Sequence, residues 1–296
     1  MKKMYGVVPP LITPFDEYGN IDYKALETLL DFLVEKVDGL FVTGSYGSGA
    51  LMNVEERKKV AETIVNKLKN KLDIVIMTGT TNNADTVELT KHAEYIGADA
   101  VSAVGPYYYK HNNDNLMCFY EDMVKAVSDD FSIYVYNNPS FQGYPMDISL
   151  LQALKNIGIK GIKDATFDIL LHASYSRLLK DEDFDVVLGT ESMWLPARSL
   201  GCEAFIPGLG NVFPEICRDM HREGMADRIE KCRELQFKVN KLRDIMYMAK
   251  STQLAVYAML ELRGIIKAYP RRPFVPAKNS EKEKIRVALK ELGLSE

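Results

Sequence analysis

Eight short runs rich in β-branched and apolar residues are separated by stretches of helical periodicity. This alternation limits the fold more than any other feature of the 296-residue chain. The runs are Tyr5–Thr13, Gly39–Gly44, Asp73–Gly79, Asp99–Gly105, Phe131–Asn137, Gly158–Asp164, Asp185–Thr190 and Glu203–Gly208. They recur roughly every 20–35 residues, the size of a βα unit. Several are apolar almost throughout, as a parallel sheet covered by helices requires. The intervening stretches carry start signals for helices: Asp22 is placed as an N-cap, and Asn53 is followed three residues later by Glu56, a capping-box pattern. Eight such repeats predict an α/β chain folded as a closed (β/α)8 TIM barrel, with a doubly wound open sheet as the alternative. The chain after the eighth run holds more helix than a barrel needs. Residues 1–212 are therefore read as the barrel and 213–296 as a C-terminal helical extension packed on it as one structural unit, either a packing cap or an oligomer contact.

Composition removes several classes of function. The formal net charge of −4 gives no basic footprint for nucleic acid. No apolar run approaches the roughly 20 residues of a membrane span. The N-terminal apolar stretch is broken by Pro9, Pro10 and Pro14 and reads as a first strand, not a signal peptide, so a cytoplasmic location is expected. Cys118, Cys202, Cys217 and Cys232 match no zinc or redox spacing, and His92, His111, His172 and His221 are scattered. Free thiols and no bound metal are the expectation.

In a barrel of this kind, function gathers at the C-terminal ends of the strands. Those ends hold hydroxyls, one lysine and almost no acid, which argues against glycoside hydrolysis with its paired carboxylates. Lys163 ends the sixth run among apolar neighbours. Lost hydration there disfavours its ammonium form, and a neutral amine can attack a ketone to form a Schiff base; a salt-bridged lysine at the rim is the plainer alternative. Tyr136 ends the fifth run on the same strand face as Tyr134. It is either a core tyrosine with a satisfied hydroxyl or a proton carrier beside a substrate. The loop "GSYGSG", Gly44–Gly49, lacks the Gly-Lys-Ser/Thr ending of a phosphate loop. It reads as a βα turn in which Gly44 and Gly47 let the backbone approach a ligand.

"GSYGSG" after the second run, "PYYYK" after the fourth, "YNNP" after the fifth, "GIKDAT" at the sixth and "GCEAFIPGLGNVFPE" at the eighth occur in register. In this the chain resembles the dihydrodipicolinate synthase / N-acetylneuraminate lyase family over nearly its whole length. The resemblance implies the barrel and its helical extension, and a class I Schiff-base mechanism on pyruvate or another 2-keto acid, with no cofactor beyond the lysine. It also implies a homotetramer or homodimer. By position, Lys163 matches the Schiff-base lysine and Tyr136 the proton-transfer tyrosine. Ser45 matches the hydroxyl linking the tyrosines of the relay, and Tyr108 the relay tyrosine given by a neighbouring subunit. The backbone N–H groups of Ser45 and Tyr46, at the head of a helix, match the carboxylate-holding loop, and the Ile206 carbonyl matches one lining the pyruvate site.

The departures bear on the second substrate. Where the family's synthases hold a dicarboxylate with arginine, two residues past the proline of "YN-x-P", this chain has Phe141. Such a change removes a charge-assisted contact. Tyr46 stands for a hydroxyl residue of the family's loop, Glu191 and Ser192 follow Thr190, and Gly208 takes the place of a serine of the sialic acid lyases. Tyr46, Phe141, Glu191 and Gly208 thus describe a pocket for another 2-keto acid or aldehyde. The resulting expectation is a lyase or aldolase that makes or breaks a C–C bond of a 2-keto acid, with pyruvate as product or donor and an aldehyde or sugar acid as co-substrate. Dehydration or hydration of a 2-keto-3-deoxy sugar acid on the same lysine is the main alternative. The further ones are 4-hydroxy-tetrahydrodipicolinate synthesis, N-acetylneuraminate cleavage, and a non-catalytic homologue that binds a small acid.

Overall fold

In the computed structural model, residues 3–294 are described; the first and last two positions of the expected segments lie outside the described residues. Eight parallel strands follow the order predicted from the sequence: β1 (Gly6–Val7), β2 (Gly39–Val42), β3 (Asp73–Met77), β4 (Ala100–Val104), β5 (Ser132–Asn137), β6 (Gly161–Asp164), β7 (Asp185–Leu188) and β8 (Ala204–Phe205). From β2 to β8 each pairs with the next in sequence, and β8 returns to β1. The circle closes between β1 and β2, where the Leu11 N–H donates to the Phe41 carbonyl and the Phe41 N–H to that of Pro9, both at 2.9 Å. This is the closed (β/α)8 barrel, not the open sheet. The first strand is far shorter than Tyr5–Thr13 because Pro9 and Pro10 have no N–H for a ladder.

The helices are α1 (Tyr23–Leu33), α2 (Val54–Leu68), α3 (Asn83–Ile96), α4 (Asn113–Val124), the four-residue α5 (Pro139–Gln142), α6 (Ile148–Asn156), α7 (Ile169–Leu178), α8 (Trp194–Ser199), α9 (Pro214–Met225), α10 (Ile229–Met246), α11 (Thr252–Leu262) and α12 (Asn279–Glu291). Asp22 caps α1 by accepting from the Ala25 N–H, and Asn53 and Glu56 form the full capping box of α2. The division expected at residue 213 falls just before α9. This helix packs on β1, so it stands where the eighth helix of the barrel belongs, and α10–α12 lie beyond it. No helix among the described residues is long and apolar enough to cross a membrane.

The alternation of side chains along each strand separates two cores. Leu40, Val42, Ile74, Ile76, Ile133 and Val135 point outward under the helices. Val8, Phe41, Val75, Met77, Tyr134 and Tyr136 fill the barrel. Both strand faces are buried, which explains the continuous apolar runs. The two inward tyrosines divide the interior. Tyr134 closes the lower end, its hydroxyl 3.3 Å from Asp185 Oδ2, and Tyr136 stands at the mouth.

Candidate active site

The register of β5 against β6 places Tyr136 opposite Lys163. Parity turns both inward, and β2 brings Phe41 between them. Lys163 Nζ lies 3.6 Å from the centroid of the Phe41 ring and 4.0 Å from that of Tyr136. Lys163 is only 3% exposed and has no carboxylate partner among the described residues. It is thus no salt-bridged rim lysine. Burial alone drives its pKa well below the ordinary lysine range, which favours the neutral amine.

Tyr136 is buried beside it. Its hydroxyl lies 3.2 Å from Ser45 Oγ and accepts from Asn138 Nδ2 at 3.3 Å. Burial raises its pKa against these two hydrogen bonds, so the phenol stays protonated at neutral pH. All three groups border a cavity of about 420 Å³ at the C-terminal mouth of the barrel. Ser45, Tyr46, Phe141, Glu191, Ile206 and Gly208 line the same cavity, so eight of the nine residues selected from the sequence meet there. Tyr108 does not. It is 86% exposed, held at φ +84°, and its ring packs edge-on against Tyr109.

The glycine-rich loop differs from expectation in two respects. A short 3-10 turn, Gly49–Leu51, separates it from α2, so Ser45 and Tyr46 are not at the head of an α-helix. Their N–H groups nevertheless take no protein acceptor among the described residues. The glycines also serve packing more than ligand approach. A Cβ on Gly47 would lie 2.9 Å from the Leu11 carbonyl oxygen, and one on Gly49 would lie 2.0 Å from that of Thr43.

Tyr46 and Gly208, which read from the sequence as separate departures, form one feature. The Tyr46 hydroxyl donates to Thr252 Oγ1 at 2.8 Å, and its oxygen occupies the space where a side chain at residue 208 would begin, 2.4 Å from an ideal Cβ. Burial, with Glu191 beside it, pushes the Tyr46 phenol up, so it remains a neutral donor. Glu191 is almost completely buried. It accepts from the Gly208 N–H at 3.1 Å and pairs with Arg243 Nη1 at 2.9 Å. Burial opposes the charge on Arg243, but Glu191 outweighs it and holds the guanidinium protonated.

Arg243, Thr252 and Asn138 were not among the residues selected from the sequence. Arg243 and Thr252 lie on α10 and α11, in a region with no motif, and only the packing of those helices over the mouth brings them in. Asn138 did carry a signal, since it directly follows the Tyr136–Asn137 end of β5.

A buried ion pair lies behind the lysine. Asp164 points away from Lys163, under α7, where His172 Nδ1 lies 2.9 Å from its Oδ2. Asp164 also accepts from the N–H and hydroxyl of Thr166 at 3.0 and 2.7 Å, shaping the loop that carries Ala165 and Phe167 to the cavity. Burial works against the imidazolium, yet the hydrogen bond to Asp164 favours it and His172 is raised to about 9, while its buried Nε2 has no hydrogen-bond partner among the described residues.

Comparison with known proteins identifies the family and the fold. The model of the dihydrodipicolinate synthetase family matches residues 3–292. A 4-hydroxy-tetrahydrodipicolinate synthase of Archaeoglobus fulgidus is 30% identical over 290 residues, covering 98% of both chains. An uncharacterised DapA-like lyase of Pyrococcus horikoshii is 34% identical, over 92% of this chain and 95% of its own. Among solved structures, a prophage protein of the dihydrodipicolinic acid synthase family from E. coli K12, in complex with pyruvate, superposes with a TM-score of 0.94 at 25% identity. The match covers 99% of this chain and 100% of that one.

Two outcomes follow from the packing. Gly208→Ala should destabilise the protein by about 1–3 kcal/mol by forcing Tyr46 from its seat. In a Tyr46→Ser background the same change should cost less than about 0.5 kcal/mol, and equal costs in a denaturant double-mutant cycle would disprove the coupling. His172 is raised above its unfolded value, so its stabilising effect is complete below about pH 6.5 and disappears as pH rises through about 9. Unfolding free energy measured across that window should fall by a few kcal/mol more in the wild type than in His172→Gln; parallel curves would mean that His172 is neutral in the folded protein.

Proposed function

The chain belongs to the dihydrodipicolinate synthetase family, whose members are class I Schiff-base lyases, and we propose that it makes or breaks the C3–C4 bond of a 2-keto acid with pyruvate as donor or product. The observation that carries this reading is the buried Lys163 amine, without a carboxylate partner among the described residues and set against the rings of Phe41 and Tyr136.

The neutral Lys163 amine attacks the C2 carbonyl, and loss of water leaves a protonated imine. The carboxylate of the keto acid rests on the free N–H groups of Ser45 and Tyr46, with the Ile206 carbonyl beside it. The iminium nitrogen draws electrons from C3. In cleavage, the C4 hydroxyl gives up its proton as the C3–C4 bond breaks, leaving an enamine and releasing an aldehyde. Protonation at C3 and hydrolysis then free pyruvate and the lysine. Condensation runs the same steps in reverse. Tyr136, linked to Ser45 at 3.2 Å, carries the proton at the C4 oxygen. The mechanism needs no metal or further cofactor.

Tyr108 completes the relay in an oligomer, where a second copy offers it to this site. Its high exposure and its left-handed backbone support this role, because such a conformation persists only where surrounding structure holds it. Synthesis of 4-hydroxy-tetrahydrodipicolinate is disfavoured by Phe141, which lines the cavity where the synthases carry arginine.

Borohydride with pyruvate should modify Lys163 irreversibly, and Lys163→Ala should remain folded without turning over. A folded wild-type chain that stays unmodified by mass spectrometry sinks the Schiff-base reading. Tyr108→Phe should lower kcat by roughly 10²–10⁴-fold. Mixing it with Lys163→Ala and allowing subunits to exchange should restore activity above that of either parent, because some mixed sites are intact. If no mixture ratio restores activity while light scattering shows exchanged oligomers, Tyr108 acts only within its own chain or not at all.

A further inference from the structure

We infer that Arg243, with the hydroxyls of Ser251 and Thr252, forms a subsite for an uncharged, hydroxyl-rich tail on the second substrate. The inference rests on the Schiff-base reading, which fixes the keto-acid end at Lys163 and leaves the remainder of the cavity to the tail.

The argument is one of charge and donors. Three cations line the cavity: Lys163, Arg243 and Lys250. Each is already matched or neutral. Burial favours the neutral amine at Lys163. Arg243 is paired with Glu191 at 2.9 Å, and Lys250 Nζ lies 3.4 Å from Glu281 Oε2 while donating to the Pro276 carbonyl. Glu191 is the one acid among the residues lining the cavity. A terminal carboxylate or phosphate would therefore enter beside a buried carboxylate with no spare positive charge to receive it.

Hydrogen-bond donors, in contrast, are abundant. Arg243 gives one N–H to Glu191 and one to the Tyr247 hydroxyl at 3.0 Å. Its other N–H groups take no protein acceptor among the described residues. Thr252 accepts from Tyr46, and Ser251 accepts from the Leu254 N–H at 3.2 Å, so both hydroxyls keep their own proton to donate. Glu191 and Tyr247 hold the guanidinium in one orientation, which lowers the entropic cost of using it. A fixed donor array without net charge suits the oxygens of a polyol. All of these groups come from the segment around α10 and α11, so the extension would select the tail while the barrel handles the keto acid.

A trio of six-carbon 2-keto-3-deoxy acids differing only at C6 isolates the point: a hydroxymethyl end, its phosphate ester, and a carboxylate. Trapping of each on Lys163 with borohydride is followed by intact mass, counting the adduct of the whole acid together with those of its dehydrated form and of any pyruvate split from it. This readout does not depend on whether the enzyme cleaves or dehydrates. The neutral acid should reach half-trapping at a concentration at least tenfold below either charged homologue. Arg243→Met should raise that concentration about tenfold while leaving the value for pyruvate unchanged. Because this variant strands the buried Glu191 carboxylate, Glu191→Gln/Arg243→Met carries the same expected rise for the neutral acid relative to pyruvate should the single variant fail to fold. Equal or tighter trapping of a charged homologue, or variants that trap the neutral acid as well as wild type does, overturns the subsite. Failure of pyruvate itself to trap overturns the Schiff-base reading on which the subsite rests.

Discussion

The proposed chemistry depends on burying one amine without a counter-charge. The register that sets Tyr136 opposite Lys163 makes this possible: with Phe41 from β2, it puts two aromatic rings within about 4 Å of Nζ and leaves no carboxylate among the described residues to stabilise a charge there. A shift of one residue in β6 would turn Lys163 outward under α7 and bring Asp164 into the barrel. The buried His172–Asp164 pair opposes that shift, because it gives the outward side of the strand a partner that only Asp164 can satisfy. The polar contact behind the strand and the apolar contacts in front of it thus specify the same register.

Around that amine, the mouth of the barrel divides its tasks between chain segments. In the proposed reaction β2, β5 and β6 would supply the groups for the keto acid: Ser45 just past β2, Tyr136 and Lys163. The segment around α10 and α11 would supply those for whatever is attached to it: Arg243, Ser251 and Thr252. A reacting centre built on strands is held by the ladder on both sides, while a specificity wall built on α10 and α11 can vary without disturbing it.

What could be read from the sequence followed the range of the physics. Strand and helix periodicity is local, so the eight repeats and the caps at Asp22 and Asn53 were visible. Lys163 was visible because parity along a strand and position at its end are both local properties. The Glu191–Arg243 pair spans 52 residues and rests on how α10 packs across the mouth, so no motif announces it. The glycines of the β2 loop misled for the same reason. Their need for a bare Cα comes from Leu11 and from the loop folding back on Thr43, neither of which the loop's own spacing reveals.

The fit of Tyr46 into the space beside Gly208 also has a historical side. A side chain at 208 would have to push the tyrosine from its seat, whereas a chain with glycine at 208 and a small residue at 46 suffers only an unfilled gap. The less costly order of acquisition is therefore glycine before tyrosine, and of loss the reverse. Once the tyrosine is seated, a return to a side chain at 208 is easier after residue 46 has shrunk. A substrate preference set by this pair would act as a ratchet on the lineage that carries it.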